Sequence, residues 1–511
     1  MTDMNIRIAC IGGGPGGLFA ATLLKRYLPT AEVVLFERNR EEDVFGFGVV
    51  FSDATLRRIT EADPVLDDVL REKGRHWDAI EVWNKGEKHS FAGNGMSAIH
   101  RKDLLRALQS KATEAGVELK FGTNIASHTE LDGFDLIVAA NGTNSLTRRE
   151  IGEDVLGHEV VQAEAKFIWF ATTRIFDGLT FLHRKSEHGN FAVHAYPISN
   201  ELSTFIVEAD EATWRAAGLD EFDVTQPPGP SDMKSKAYIE ALFAEELDGH
   251  EIVVNNSRWA NFQTRATENW FSGNVAFLGD AIHTAHFSVG SGTKMAMEDA
   301  IILAQEVAKQ PENIPAALQA YQDARKPSVA KVQNAARPSL SWWEHFGTYY
   351  DNLDPAQFTF HFFSRSINRD RIAQRDPELV ANTEAAWQAK HGADVEESSL
   401  DIAGTTFPNR VLQLKDKELV SGVANIALDA EGITVISAPE AEGSVEESVD
   451  KLPAAGTVVI HGGDALNRRL LAEAARFGRK LTVVLVEQAD EDAAITAVLS
   501  GRADAVAQGE I

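Results

Sequence analysis

Residues 5–38 constrain this chain more than any other stretch. An apolar run, Ile6 to Ile11, reads as a buried strand. Gly12, Gly14 and Gly17 follow as G-x-G-x-x-G. A helical stretch runs from Leu18 to Tyr27, and a second strand, Glu32 to Phe36, ends at Glu37, twenty residues past the third glycine. Strand, glycine loop, helix, strand and acidic residue in this order form the context that a dinucleotide-binding unit requires. Gly12 permits the tight turn, Gly14 lets backbone N–H groups approach a pyrophosphate at the helix N-terminus, and Gly17 lets helix and strand pack closely. Glu37 can accept a hydrogen bond from a ribose hydroxyl, and its charge disfavours a 2′-phosphate, hence NADP, at this site. A glycine-rich turn in an ordinary α/β domain is the other reading of the same residues.

The 511 residues are enough for roughly two to four domains. No apolar run is long enough for a transmembrane helix, and the N-terminus enters the first strand without a basic leader segment, so neither a membrane span nor a signal peptide is expected. Cys10, the single cysteine, cannot form an intrachain disulfide, which fits a reducing cytoplasm. A net charge of −27, from 49 basic and 76 acidic residues, argues against nucleic-acid or anionic-membrane partners. No metal site is expected.

Beyond Arg38, the glycines in Val44–Phe51 suggest either a backbone running close to something bulky or a β-bulge. Ser52 to Leu70 reads as helices, and 77–92 as a strand pair turning at Asn84-Lys85-Gly86. A helix entered at Arg101 runs to about Glu114 and is capped by Gly116. A cation at that helix entry opposes the dipole and calls for an anionic partner. Phe134–Gly142 should join the parallel sheet begun by Ile6–Ile11. Between 160 and 215 the chain turns β-rich and aromatic, with Phe167, Trp169, Phe170, Phe176, Phe181, Phe191, Tyr196 and Phe205 either in a core or walling a pocket. The loop Gln226–Pro230 precedes a helix at 232–246. A third buried strand ends at Gly279-Asp280, and Gly290 and Gly292 open a long helix whose N-terminus can hold a carbonyl or phosphate. Residues 313–348 read as helix broken near Pro338, 391–399 as a linker, Glu440–Asp450 as a mobile acidic loop, and 400–511 as a small α/β domain with Val458–His461, Ala465–Phe477 and Leu481–Glu487 as its β–α–β core.

Three stations now line up: Gly12-x-Gly14-x-x-Gly17 with Glu37, Asp135 to Asn141-Gly142, and Gly279-Asp280 to His283 with Gly290-x-Gly292. Their order and spacing resemble the single-component FAD-dependent aromatic hydroxylases of the para-hydroxybenzoate hydroxylase type, over roughly residues 5–390. Phe45–Ser52, Ala98–Leu105, His194–Pro197 and Gly292–Ala300 look like the branch that acts on salicylyl-CoA and anthraniloyl-CoA. The resemblance implies an α/β (mixed α+β) fold: a discontinuous Rossmann-like FAD-binding domain (1–75, 98–160 and 265–320), an inserted antiparallel-sheet substrate domain (76–97 and 161–264), a helical segment (321–390) and the C-terminal domain at 400–511. It implies Gly12, Gly14 and Gly17 at the FAD pyrophosphate, Glu37 with neighbouring Arg38 at the adenosine ribose, Arg101 and Asp280 along the cofactor, and Gly290 and Gly292 at the isoalloxazine. Where the family usually has Asp-Gly, this chain has Asn141-Gly142, which puts a role there in nicotinamide handling in doubt. A proline usual in the third motif is replaced by Phe287-Ser288.

The implied activity is hydroxylation of an activated ring through the flavin C4a-hydroperoxide, with NADH or NADPH as donor and O₂ as co-substrate. A salicylyl-CoA-like thioester is the foremost substrate; a free aromatic acid, an indole-type compound, or a reductase chemistry of the geranylgeranyl-reductase kind are the alternatives. Homodimerisation is left open. His194 and Tyr196 alternate on one expected strand and share a face, so either can hydrogen-bond the ring substituent as a catalytic group. Arg57, Arg58, Arg71, Lys73 and Arg75 are either cations for CoA phosphates or a solvated face.

Overall fold

The computed structural model describes residues 6–511 apart from Phe45, Pro228 and Glu442, so part of the Val44–Phe51 reading and of the 226–230 loop lies outside the described residues. The chain forms two compact units, one of residues up to Ile80 with Asn94–Glu344, the other of Glu81–Gly93 with His345–Ile511.

The first unit is built on the opening motif. Strand Arg7–Ile11 pairs in parallel with Glu32–Phe36 on one side and Leu136–Ala139 on the other, with Cys10 opposite both Leu35 and Val138. Glu118–Lys120 extends the sheet past Glu32–Phe36, and Val275–Phe277 extends it past Leu136–Ala139. Beyond their charged first residues, Arg7 and Glu32, strands Arg7–Ile11 and Glu32–Phe36 are apolar and buried because helices cover the sheet. Helix Pro15–Tyr27 packs on helix Gly292–Lys309. A side chain at Gly16 would stand 2.8 Å from the Leu278 methyl and 3.0 Å from Ala296 Cβ, so this contact needs glycine. Cys10 is fully buried, and burial pushes its thiol up to about 12, which makes it core rather than nucleophile.

The β-rich region forms an antiparallel sheet in the order Ile252–Val253, His158–Thr172, Ser203–Ala209, Asn190–Pro197, Leu179–Lys185. Ala260–Thr267 pairs with the outer half of His158–Thr172, across a register shift between Gln162 and Lys166. A three-stranded sheet carries Gly48–Ser52 beside Met96–His100, which in turn pairs with Arg75–Trp77. A Cβ at Gly48 would lie 2.4 Å from Ile198 and 2.8 Å from Thr204 side-chain atoms. At that glycine close approach, not a bulge, is the reason.

The break expected near Pro338 does not occur. Helix Ile314–Asn352 runs through both Pro327 and Pro338. Each proline removes one hydrogen bond and crowds the preceding turn, a cost of about 3 kcal/mol. Burial of Trp342 and Trp343 immediately after Pro338 offsets it.

In the second unit, the hairpin turn at Lys85 and Gly86 has positive φ at both residues, the geometry that suits a two-residue loop. Helices Pro355–Phe363, Arg369–Ala373 and Pro377–His391 precede a seven-stranded sheet. Its strands Ile433–Ser437, Thr457–His461, Thr482–Glu487 and Ala505–Gln508 are parallel neighbours. The acidic 440–450 stretch is not all loop: Val445–Val449 is a short helix, its N-terminus capped by the Ser444 hydroxyl.

Candidate active site

The glycine loop creates a cleft at the C-terminal edge of the parallel sheet. Gly12 has φ +111°, and a Cβ there would lie 2.5 Å from the Ala140 carbonyl oxygen. At Gly17 a Cβ would sit 2.0 Å from the Gly12 oxygen. Gly14, the N-cap of helix Pro15–Tyr27, has no atom within 4 Å of where its Cβ would be. Two glycines therefore hold the loop together and the third faces open space, at the positive end of a helix. The cleft there is about 180 Å³ and is walled by Gly12, Gly14, Glu37, Arg38 and the Ala140–Gly142 turn. Glu37 braces it, accepting from Gly13 N (2.6 Å), Asn39 N (2.8 Å) and Asn39 Nδ2 (2.7 Å).

A larger cavity of about 480 Å³ adjoins it, and Asn144 lines both. At one end it is polar, lined by Arg101, Arg265, Asp280 and Gly290–Thr293. Arg101 sits at the first position of helix Arg101–Ala115, where His100 Nδ1 caps by accepting from Lys102 N. The anionic partner expected for it is Asp280, which offsets part of the burial that lowers the guanidinium pKa. Asp280 is exposed into the hollow of the cavity but enclosed by protein. That enclosure raises its pKa, while His283, Arg101 and Arg265 pull the other way. Gly290 turns with φ +60°, and Gly292 opens helix Gly292–Lys309 with no atom near its missing side chain. Two buried polar atoms here lack partners, Ser291 Oγ and Arg265 Nε.

The turn that carries Asp280 is fixed from below. Asp299 accepts from His283 Nε2 (2.6 Å), Gly279 N (3.0 Å) and Arg325 Nε (2.9 Å). Burial alone would raise the Asp299 pKa, but His283 and Arg325 hold it below the usual carboxylate value. His283 is thus a strut for the motif.

The other end is aromatic. Strand alternation sorts the expected aromatics: Phe167, Trp169, Phe181 and Tyr196 line the cavity, whereas Phe170, Phe191 and Phe205 are core, as is Phe176 in the connection between two strands. Phe287, standing where the family usually has proline, packs on Phe167 at 5.0 Å and on His194 at 5.4 Å between ring centroids. His194 and Tyr196 both line the cavity, as their spacing implies. His194 Nε2 lies 2.5 Å from Glu208 Oε1, without the geometry of a hydrogen bond between the two atoms. Burial pushes the Tyr196 hydroxyl up, against a hydrogen bond with Thr204.

The basic residues at 57–75 do not converge. Arg58 pairs with Glu298 (3.3 Å), Arg71 with Asp67, Lys73 with Asp103 (3.5 Å), and Arg75 donates to Asn200 (2.8 Å). None lines either cavity. Arg265, Ser291 and Glu208 escaped the sequence reading. Glu208 alone left a trace there, a carboxylate inside the apolar run Phe205-Ile-Val-Glu-Ala209.

The two cavities fit a molecule with a ribose and pyrophosphate at one end and a flat ring system at the other. The open side of Gly14, the unpartnered Ser291 and Arg265 atoms and the bare helix start at Gly292 are where its acceptor atoms would be met. FAD has that composition. Among the described residues no helix is long and apolar enough to cross a membrane.

The family described as FAD binding domain matches residues 5–133 and 134–336. The chain is 49% identical to a salicyloyl-CoA 5-hydroxylase of Streptomyces sp. across 98% of this chain and 99% of that one. It is 34% identical to a 3-hydroxy-4-methyl-anthranilyl-[aryl-carrier protein] 5-monooxygenase of Streptosporangium sibiricum, over 66% of this chain and 89% of the relative. Among solved structures, the tetrameric form of 2-methyl-3-hydroxypyridine-5-carboxylic acid oxygenase superposes with a TM-score of 0.54 at 21% identity, covering 67% of this chain and 93% of that one, which speaks for the fold. The chain belongs to the FAD-binding-domain family and is a flavin-dependent aromatic monooxygenase that uses FAD, a nicotinamide electron donor and O₂.

Proposed function

We propose that this enzyme hydroxylates the ring of an aryl-CoA thioester of the salicyloyl-CoA kind, at the carbon para to the ring hydroxyl. The observation that carries the reading is the 480 Å³ cavity, aromatic at one end and polar where it meets the glycine-loop cleft. The thioester is supported by the match to a salicyloyl-CoA 5-hydroxylase, which runs through the C-terminal region as well. FAD, when bound, supplies the activated oxygen and takes its electrons from NADH or NADPH.

The residues divide the work as follows. Gly12, Gly14 and Gly17 admit the pyrophosphate to the helix N-terminus, Glu37 and Arg38 hold the adenosine ribose, and Arg101 and Asp280 line the middle of the cofactor. Gly290 and Gly292 bring a helix N-terminus to the ring system. Phe167, Trp169, Phe181 and Phe287 clamp the aromatic substrate and exclude water, which would otherwise divert reduced oxygen to peroxide. His194 and Tyr196 hold the ring substituent. In this reading residues 161–264 are the substrate-bearing sheet and 400–511 an appended domain, while Glu81–Gly93, read from sequence with the substrate domain, falls in the second compact unit. The buried free thiol of Cys10 supports a cytoplasmic setting, and a homodimer is the assembly to test for.

The test is nicotinamide oxidation by the FAD-loaded enzyme with a panel of aryl-CoAs and the matching free acids. Salicyloyl-CoA should stimulate NADH or NADPH oxidation at least tenfold over free salicylate. Stimulation by the free acids alone would refute the thioester assignment.

A further inference from the structure

Met1 and Met4 lie outside the described residues. Of the other methionines, Met295 and Met297 are core, 1% and 0% exposed, and Met233 stands on the surface at 57%. Met96 alone among the described methionines lines the large cavity, where it is half-buried. It opens strand Met96–His100 and is paired with Ser52 on one side and Trp77 on the other. Directly opposed residues share a face, and the Trp77 ring packs on Tyr196 at 6.0 Å between centroids. Met96 therefore belongs to the aromatic end. The next row on the same face is Val50 opposite Ala98, about 7 Å away at two strand residues. A Cβ at Gly290, the turn before the helix that meets the cofactor ring, would lie 3.0 Å from Val50 Cγ1. A thioether thus stands one strand row from the place where oxygen is reduced.

We propose that Met96 is a modification site: hydrogen peroxide left in the cavity oxidises its thioether to the sulfoxide, and the sulfoxide closes the aromatic end to the substrate. The inference rests on the reading of this cavity as the site of both the cofactor ring and the substrate ring. When nicotinamide electrons reduce oxygen there and no aromatic ring takes it up, hydrogen peroxide is the product. A lone pair on Met96 Sδ attacks one peroxide oxygen. The O–O bond breaks and an S–O bond forms, so sulfur gives up two electrons and peroxide takes them. The second oxygen leaves as hydroxide and picks up the proton of the transferred oxygen. Sulfide and H₂O₂ become sulfoxide and water.

Oxidation replaces a flexible apolar side chain by a polar one that needs a donor. Trp77, directly opposite Met96, has a buried Nε1–H without an acceptor, and the sulfoxide oxygen brings an acceptor to that neighbour. The cost falls on the substrate instead, whose ring would meet a dipole where it had met a thioether. Cys10 is no rival reductant: it lines neither cavity, and burial keeps its thiol protonated. A bound substrate protects Met96 twice, by covering the aromatic wall and by consuming the oxygen.

The experiment takes the FAD-loaded enzyme through repeated cycles of reduction by stoichiometric dithionite and re-oxidation by O₂, with catalase present to destroy peroxide that escapes. Peptide mass spectrometry then reads the sulfoxide at each methionine. The expected result is about tenfold or more sulfoxide at Met96 over the exposed Met233, and none above background at Met96 in apoprotein carried through the same steps. Equal oxidation of Met96 and Met233, an unoxidised Met96, or the same oxidation in apoprotein would overturn the proposal. Turnover of salicyloyl-CoA should fall in step with the Met96 sulfoxide fraction. Met96→Leu, which conserves volume, should lose activity about tenfold more slowly per cycle; loss at the parent's rate would overturn the closing of the site. The oxidation cycles use no aryl substrate, so an enzyme that forms the sulfoxide yet never turns over salicyloyl-CoA would sink the thioester reading and leave the modification site standing.

Discussion

Gly14→Ala is expected to leave the apoprotein folded and to weaken FAD binding by about 100-fold, ~2.7 kcal/mol. Gly17→Ala is expected to damage the fold itself. The two glycines stand in one motif, yet their missing side chains face different things. At Gly14 a methyl group would meet no protein atom, and the backbone there, φ −74° and ψ 174°, suits any residue. Its cost to the helix cap is within about 1 kcal/mol. The methyl would instead occupy the space where a pyrophosphate approaches the helix. At Gly17 the methyl would lie 2.0 Å from the Gly12 carbonyl oxygen, a backbone atom that cannot swing away. Helix Pro15–Tyr27 would have to lift off the central strand, at a cost of about 3 kcal/mol or more. Thermal melting of the apoproteins and FAD fluorescence titration separate the two. If Gly14→Ala melts as early as Gly17→Ala, the open side of the loop is not a ligand side.

Asp299→Asn is expected to cost about 2–3 kcal/mol, because it removes one of the two carboxylates that face the buried Arg325, Glu298 remaining at 3.2 Å, and loosens the Gly279-Asp280 turn. That is a large part of the ~5–15 kcal/mol by which a domain is stable. The folded pKa of Asp299 is depressed. The stability it confers is therefore fully present above the unfolded carboxyl value of about 4, and is lost only as pH falls through the lower folded value. Urea melts should give the same gap between parent and variant from pH 5 to pH 8. A gap that closes within that window would mean that another group, not this carboxylate, carries the strut.

What the sequence made legible was whatever short-range spacing encodes. The Gly12–Gly17 loop, the partner strand ending at Glu37 and the shared face of His194 and Tyr196 all follow from local periods of the chain. That Leu136–Ala139 joins the parallel sheet begun by Arg7–Ile11 followed from apolar runs ending in glycine turns; the order of the strands did not. What stayed hidden depends on register or on distant partners. Glu208 reaches His194 only through the pairing of two antiparallel strands. Arg58 looked like one of a cationic group, but its partner is Glu298, 240 residues away. Pro338 misled for a related reason: local propensity breaks a helix there, and the burial of Trp342 and Trp343 keeps it whole.

The most direct test of the central claim is oxygen labelling. The FAD-loaded enzyme is given salicyloyl-CoA, a nicotinamide donor and ¹⁸O₂, and the product is analysed by mass spectrometry and NMR. The expected product carries one labelled oxygen on the ring carbon para to the original hydroxyl, formed with one nicotinamide oxidised per product. An unlabelled ring product, or nicotinamide oxidation that yields peroxide alone, would contradict the account.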